Sequence, residues 1–139
     1  MTIDPGSNGT GIAIWDKKWN LMFYSNIYGR NRNWHINCLN IITDLESLWS
    51  HFKIKKMYIE YPSFFPTVGG EMVAKHGSLV KLAFFVGLVC GACLPIEYRL
   101  VEVHEWKGQL PKEVVIQRIK KILGENKCKR FKSHIWDAV

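Results

Sequence analysis

The sequence is short of acid. Twelve Asp and Glu stand against nineteen Lys and Arg in 139 residues, a formal net charge of +7 with a pI near 9.3. That balance argues against a basic partner and favours a polyanion, most often nucleic acid. The sequence also lacks a long apolar run. The longest, Leu82–Leu94, has 13 residues and holds two glycines, which is too short to span a bilayer and reads as a buried helix, so no membrane partner is expected. No leader precedes Asp4, so the chain reads as cytoplasmic with reduced thiols. Cys90-Gly-Ala-Cys93 has CxxC spacing, but no second CxxC and no paired histidines complete a zinc site. Its expected use is small-residue helix packing. No GxxxxGK[ST] occurs, so no nucleotide cofactor is expected. Repeats, low-complexity tracts and internal domain boundaries are absent, and residues 1–139 read as one domain.

What is present is 47% apolar and patterned. "TGIAIW" (10–15) and "WNLMFYSNIY" (19–28) read as strands joined by Asp16-Lys17-Lys18. Cys38, Ile41, Ile42, Leu45, Leu48, Trp49 and Phe52 recur at helical steps and predict an amphipathic helix over 35–52. "KKMYIE" (55–60) is a short strand ending on a carboxylate, and "YPSFFPTVGG" (61–70) is a loop. A long helix is expected over 71–94, stopped by Pro95, then a strand over 96–101. Pro111 opens a helix that Gly124 closes, 126–132 is a basic linker, and Ser133 caps a last helix. The order predicts an α/β fold, a mixed sheet flanked by helices.

Three acids stand at informative places. Asp4 ends the first strand, Glu60 ends "MYIE", and Asp137 follows His134 by three residues, on one helix face. Strand ends converge in an α/β sheet, so Asp4 and Glu60 could lie side by side beneath that helix. Clustered carboxylates repel unless a cation neutralises them, and their oxygens suit Mg²⁺ or Mn²⁺. Two such ions clamp the attacking and leaving oxygens of a phosphodiester. Singly, each residue has a plainer reading: an Asx turn at Asp4, a solvated strand end at Glu60, a surface residue at His134. Their joint placement favours the metal site.

These residues carry a resemblance. Asp4 in "IDPGSNGTGIA", Glu60 in "YIEYPSFF" and the pair His134/Asp137 in "SHIWDAV" resemble the RuvC family of Holliday junction resolvases, of RNase H-like fold. "KHGSLVKLAFFVGLVCGA" is similar to the family's dimer-forming helix, and "WKGQLPKE" looks like phage-borne relatives. The first strand is shorter than usual in the family. The family's last helix runs on for several turns, whereas this sequence stops at Val139, so either the chain is naturally abbreviated or its end is cut away.

The resemblance implies a homodimeric endonuclease of DNA recombination and repair, with two Mg²⁺ per site, Mn²⁺ substituting. It implies paired nicking of four-way and other branched DNA to leave 5′-phosphate and 3′-hydroxyl ends. Asp4, Glu60, His134 and Asp137 would hold the metal. Lys107 and Lys112 match the family's basic residues near the scissile phosphate, and Phe64 or Phe65 its base-stacking loop aromatic. Further backbone contacts are expected at Lys75, Arg118, Lys129 and Arg130, and dimer contacts at Phe84, Phe85 and Leu88. Two readings stand beside this one. A branched-DNA-binding module of the same fold would bind without turnover. An ATPase or kinase-like protein on a related fold would use "DPGSNGTG" as a phosphate cradle, but would need a second glycine-rich loop.

Overall fold

The computed structural model describes residues 1–6, 8–61, 77–106, 108, 110–131 and 133–139, with Trp106 and Ser133 described by their backbone alone. Phe64, Phe65, Lys75 and Lys107 lie outside the described residues. Five strands form one sheet: β1 Thr2–Asp4, β2 Gly9–Trp15, β3 Leu21–Tyr28, β4 Lys56–Tyr61 and β5 Glu97–Glu102. The spatial order is β3-β2-β1-β4-β5, with β1, β2 and β3 antiparallel to their neighbours and β1, β4 and β5 parallel. The helices are α1 Trp34–Phe52, α2 Ser78–Ala92, α3 Val103–Trp106, α4 Lys112–Leu123, α5 Glu125–Cys128 and α6 Ser133–Ala138.

Each sheet face has its own apolar cluster. Ile3, Ile12, Ile14, Met57 and Ile59 pack with Cys38, Ile41, Leu45 and Trp49 of α1 and with Phe85, Val86 and Val89 of α2. Burying such side chains stabilises the fold by roughly 1.5–3 kcal/mol each. On the other face Ile119, Cys128, Phe131 and Ile135 gather against Leu21 and Tyr24 of the sheet. The strand pleat sends Thr2, Asp4, Tyr58 and Glu60 toward this second face, because side chains alternate along a strand.

Several elements differ from the sequence expectation. β3 starts at Leu21, not Trp19, because the Asp16 side chain holds the turn through Asn20. The described part of the long helix runs from Ser78 to Ala92. The basic linker contains a helical turn, α5, which buries Cys128, and α3 follows β5 where a loop was expected. Phe85 does not face outward: it is fully buried against the sheet, so it is no dimer contact. Leu88 is half-buried on the same cluster, and Phe84, half-exposed, lies edge-on to Trp34.

Candidate active site

A row of paired residues crosses the sheet. Asp4 of β1 lies opposite Gly11 of β2, and Gly11 opposite Asn26 of β3. On the other side, Thr2 pairs with Tyr58 and Ile3 with Ile59, so the parallel register leads Asp4 and Glu60 out together at the strand ends. The pattern follows from the chain: a short strand ending at Asp-Pro, and a second ending at Glu-Tyr-Pro.

The glycines of "GSNGTG" let α6 settle on this row. A side chain at Gly11 would overlap the His134 carbonyl oxygen, and one at Gly9 would meet the Tyr28 ring at 3.2 Å and His134 Cδ2 at 3.7 Å. The loop before them closes on itself: Gly9 N donates to Gly6 O at 3.2 Å, and Thr10 Oγ1 donates to Gly6 O at 3.0 Å. At the far end of α6, the Thr2 hydroxyl donates to the Ala138 carbonyl, and Trp15 Nε1 donates to that hydroxyl at 3.2 Å.

So placed, α6 delivers His134 to Asp4. Nδ1 stands 2.8 Å from Asp4 Oδ2, and Asp4 is buried. Beside a carboxylate the neutral ring carries its proton on Nδ1, which leaves the Nε2 lone pair available. One turn on, Asp137 Oδ2 lies 3.3 Å from Lys112 Nζ, in the first turn of α4. Asp137 and Glu60 line one cavity of about 310 Å³ with Thr2, Tyr58, Val101 and Trp19. The structure thus brings Asp4 to His134, and Glu60 and Asp137 to one cavity. Among the described residues, no three His, Cys, Asp or Glu groups stand close enough to share one ion. Of the expected metal-holding carboxylates, Asp4 meets His134 and Asp137 meets Lys112. As donors, three carboxylates and an imidazole nitrogen suit Mg²⁺ or Mn²⁺.

Other expected residues are spread out. Arg118 on α4, and Lys129 and Arg130 after α5, are exposed. Asn26 was not foreseen. It shares the Asp4–Gly11 row, and its side-chain oxygen and nitrogen are buried without a hydrogen-bond partner among the described residues. Only strand register reveals it. The CxxC thiols are as expected for packing groups: Cys93 is buried, and burial pushes its thiol up to about 11.

Two solved structures resemble the chain over 99% of its length. One is T. thermophilus RuvC in complex with a Holliday junction substrate, with a TM-score of 0.77, 18% identity and 85% of that chain covered. The chain has the RuvC fold. The other is Thermus thermophilus RuvC, with a TM-score of 0.72, 19% identity and 86% of that chain covered. No protein-family model and no curated protein matches the sequence. The RuvC fold accounts for the mixed sheet and its flanking helices, and among the described residues no helix is long and apolar enough to cross a membrane.

Proposed function

We propose that the protein is a divalent-metal-dependent endonuclease of RuvC type that resolves four-way DNA junctions as a homodimer. One observation carries the reading most: Asp4 and Glu60 at adjacent strand ends, with His134 and Asp137 laid over them by a helix that Gly11 admits. A structure of this fold holds a Holliday junction. The net charge of +7 supplies the attraction a phosphate backbone needs.

Asp4, Glu60, Asp137 and His134 would divide between them two metal ions, with Nε2 of His134 the ring atom that can ligate while Nδ1 faces Asp4. Bound there, Mg²⁺ or Mn²⁺ supplies water activation and neutralises charge on the phosphodiester. The remaining work belongs to the chain. Asp4 fixes the His134 tautomer through Nδ1. Lys112, half-exposed beside Asp137, offers an ammonium to the scissile phosphate, with Lys107 and the aromatic of Phe64 or Phe65 proposed as further DNA contacts. Bond cleavage leaves 5′-phosphate and 3′-hydroxyl ends.

The dimer rests on α2. Val80, Phe84, Gly87 and Gly91 recur at four-, three- and four-residue steps on its outer face, and Val80 is 71% exposed. Around Gly87 and Gly91 the space is open, which permits close approach by a second helix.

The pairing of Asp4 with His134 and of Asp137 with Lys112 also favours a second reading, a junction-binding module without turnover. Incubating the protein with a four-way junction, a fork, a flap and linear duplex in Mg²⁺ or Mn²⁺ separates the two. Symmetric nicks in the junction support the resolvase; binding with no cleavage in either metal supports the module.

A further inference from the structure

The β2–β3 turn, at the sheet end opposite Asp4, carries an exposed indole that also borders the cavity of Glu60 and Asp137. Trp19 is 68% exposed and sits in the β2–β3 turn with φ 62°, a left-handed conformation that a bulky side chain adopts only at a cost. The turn is braced to hold it there. Asp16 Oδ1 accepts from Lys18 N at 2.7 Å and Asn20 N at 2.8 Å, Asp16 Oδ2 accepts from Asn20 Nδ2 at 2.8 Å, and Trp19 N donates to Asp16 O at 3.1 Å. Strain maintained by such bracing, in order to present an apolar ring to water, is a mark of use.

The indole has a basic setting. With Trp15 and Tyr58 it lines a cavity of about 530 Å³ whose rim includes Lys17, Lys53, Lys55 and Lys56. Counter-charge is limited there: Asp16 is committed to the turn, and Glu97 pairs with Lys56 at 2.6 Å. This cavity also shares Thr2, Trp19 and Tyr58 with the one that holds Glu60 and Asp137. The two form one track along β4. From Lys56 to Glu60 the strand rises about 13 Å, the length of about four base steps.

We propose that a DNA strand leaving the cleavage site runs along this track and stacks a base or sugar on Trp19, with Lys17, Lys53 and Lys55 on its phosphates. The inference rests on the junction-binding reading and extends its footprint. Aromatic stacking between lysines is the chemistry of a strand-binding platform, and the charge complements DNA rather than a second copy of this basic chain.

The test is junction affinity by fluorescence anisotropy in Ca²⁺, over a range of salt. Trp19→Ala should weaken binding by about fivefold or more, with an unchanged slope of log affinity against log salt. Lys17→Ala/Lys55→Ala should flatten that slope by about two. Trp19→Gly, which relieves the left-handed strain, should melt no lower than the wild type yet bind as poorly as Trp19→Ala. A photocrosslinking p-benzoylphenylalanine at position 19 should attach to DNA. Wild-type affinity in both Trp19 variants, or crosslinking only within the chain or to a second copy, overturns the inference. A wild type that binds no junction at all overturns the junction reading first, and this inference with it.

Discussion

Gly11 of β2 lies so close beneath His134 of α6 that a single methyl group at position 11 would overlap the His134 carbonyl oxygen. The contact is with backbone, which cannot rotate away, so α6 would have to lift. Gly11→Ala should destabilise the fold by about 1–3 kcal/mol, the usual range for overpacking. It should also carry His134 and Asp137 off their partners. Urea unfolding checks the first effect. Junction cleavage under conditions where the variant is still folded checks the second, and near-native cleavage would show that the seat of α6 does not govern the site.

Asp4 and Glu60 separate binding from chemistry. Each adds negative charge where phosphate must come and little that holds DNA. Asp4→Asn and Glu60→Gln should lower cleavage by at least about a hundredfold while junction affinity stays equal or improves. Gel-shift titration beside single-turnover cleavage reads both. Either variant cutting at wild-type rate would remove these residues from the site.

His134 should set the metal preference. An imidazole among carboxylates favours a borderline ion over a hard one, so Mn²⁺ should support cleavage at least as well as Mg²⁺. Ca²⁺ should permit binding without turnover. His134→Asp should shift the preference toward Mg²⁺. An unchanged Mn²⁺/Mg²⁺ ratio of rates in that variant would show that His134 is no ligand.

The buried thiols give a pH signature. Burial raises Cys93 from its ordinary value of 9.0 to about 11, with the neighbouring Cys90 adding to the effect. The unfolded chain therefore loses this proton first as pH rises. Stability from the buried neutral thiol is complete below about pH 9 and is lost up to about pH 11. Cys93→Ala should flatten the fall of stability across that window in chemical denaturation. At pH 8 the native thiol should react with a disulfide reagent far more slowly than the unfolded one, since only the thiolate attacks.

Where the candidate site residues fall in the fold was more legible in the sequence than the packing was. Asp4 and Glu60 were legible because strand ends are marked locally, by Asp-Pro-Gly and Glu-Tyr-Pro, and His134 and Asp137 because three residues make a helical step. Gly11 and Asn26 gave no such mark: their roles arise from register across β1, β2 and β3 and from a helix more than 120 residues away in the chain. Trp19 read as the start of a strand, since nothing local shows that Asp16 would bend the chain into a left-handed turn. The hardest choice lay within α2. A helix that is apolar on nearly every side has no polar face to say which way it turns, so Phe84 and Phe85 look alike in sequence and are opposite in the fold.

That opposition makes the dimer testable with a clean control. Phe85 fills the core between α2 and the sheet, so Phe85→Glu should fail to fold, and Phe85→Ala should cost about 3–5 kcal/mol. Val80 and Phe84 lie on the outer face, where a charge meets water in the monomer and would meet a partner's apolar helix in the proposed dimer. Val80→Glu should therefore keep a melting temperature near that of the wild-type monomer, and Phe84→Glu, which loses its edge-on contact with Trp34, one somewhat lower. In sedimentation they should shift the dimer to monomer at micromolar concentration. Nicking of opposed strands should become uncoupled, because each site would then act alone, and single nicks should accumulate. A folded Val80→Glu protein that remains dimeric and still cuts both strands together would place the interface elsewhere on the molecule.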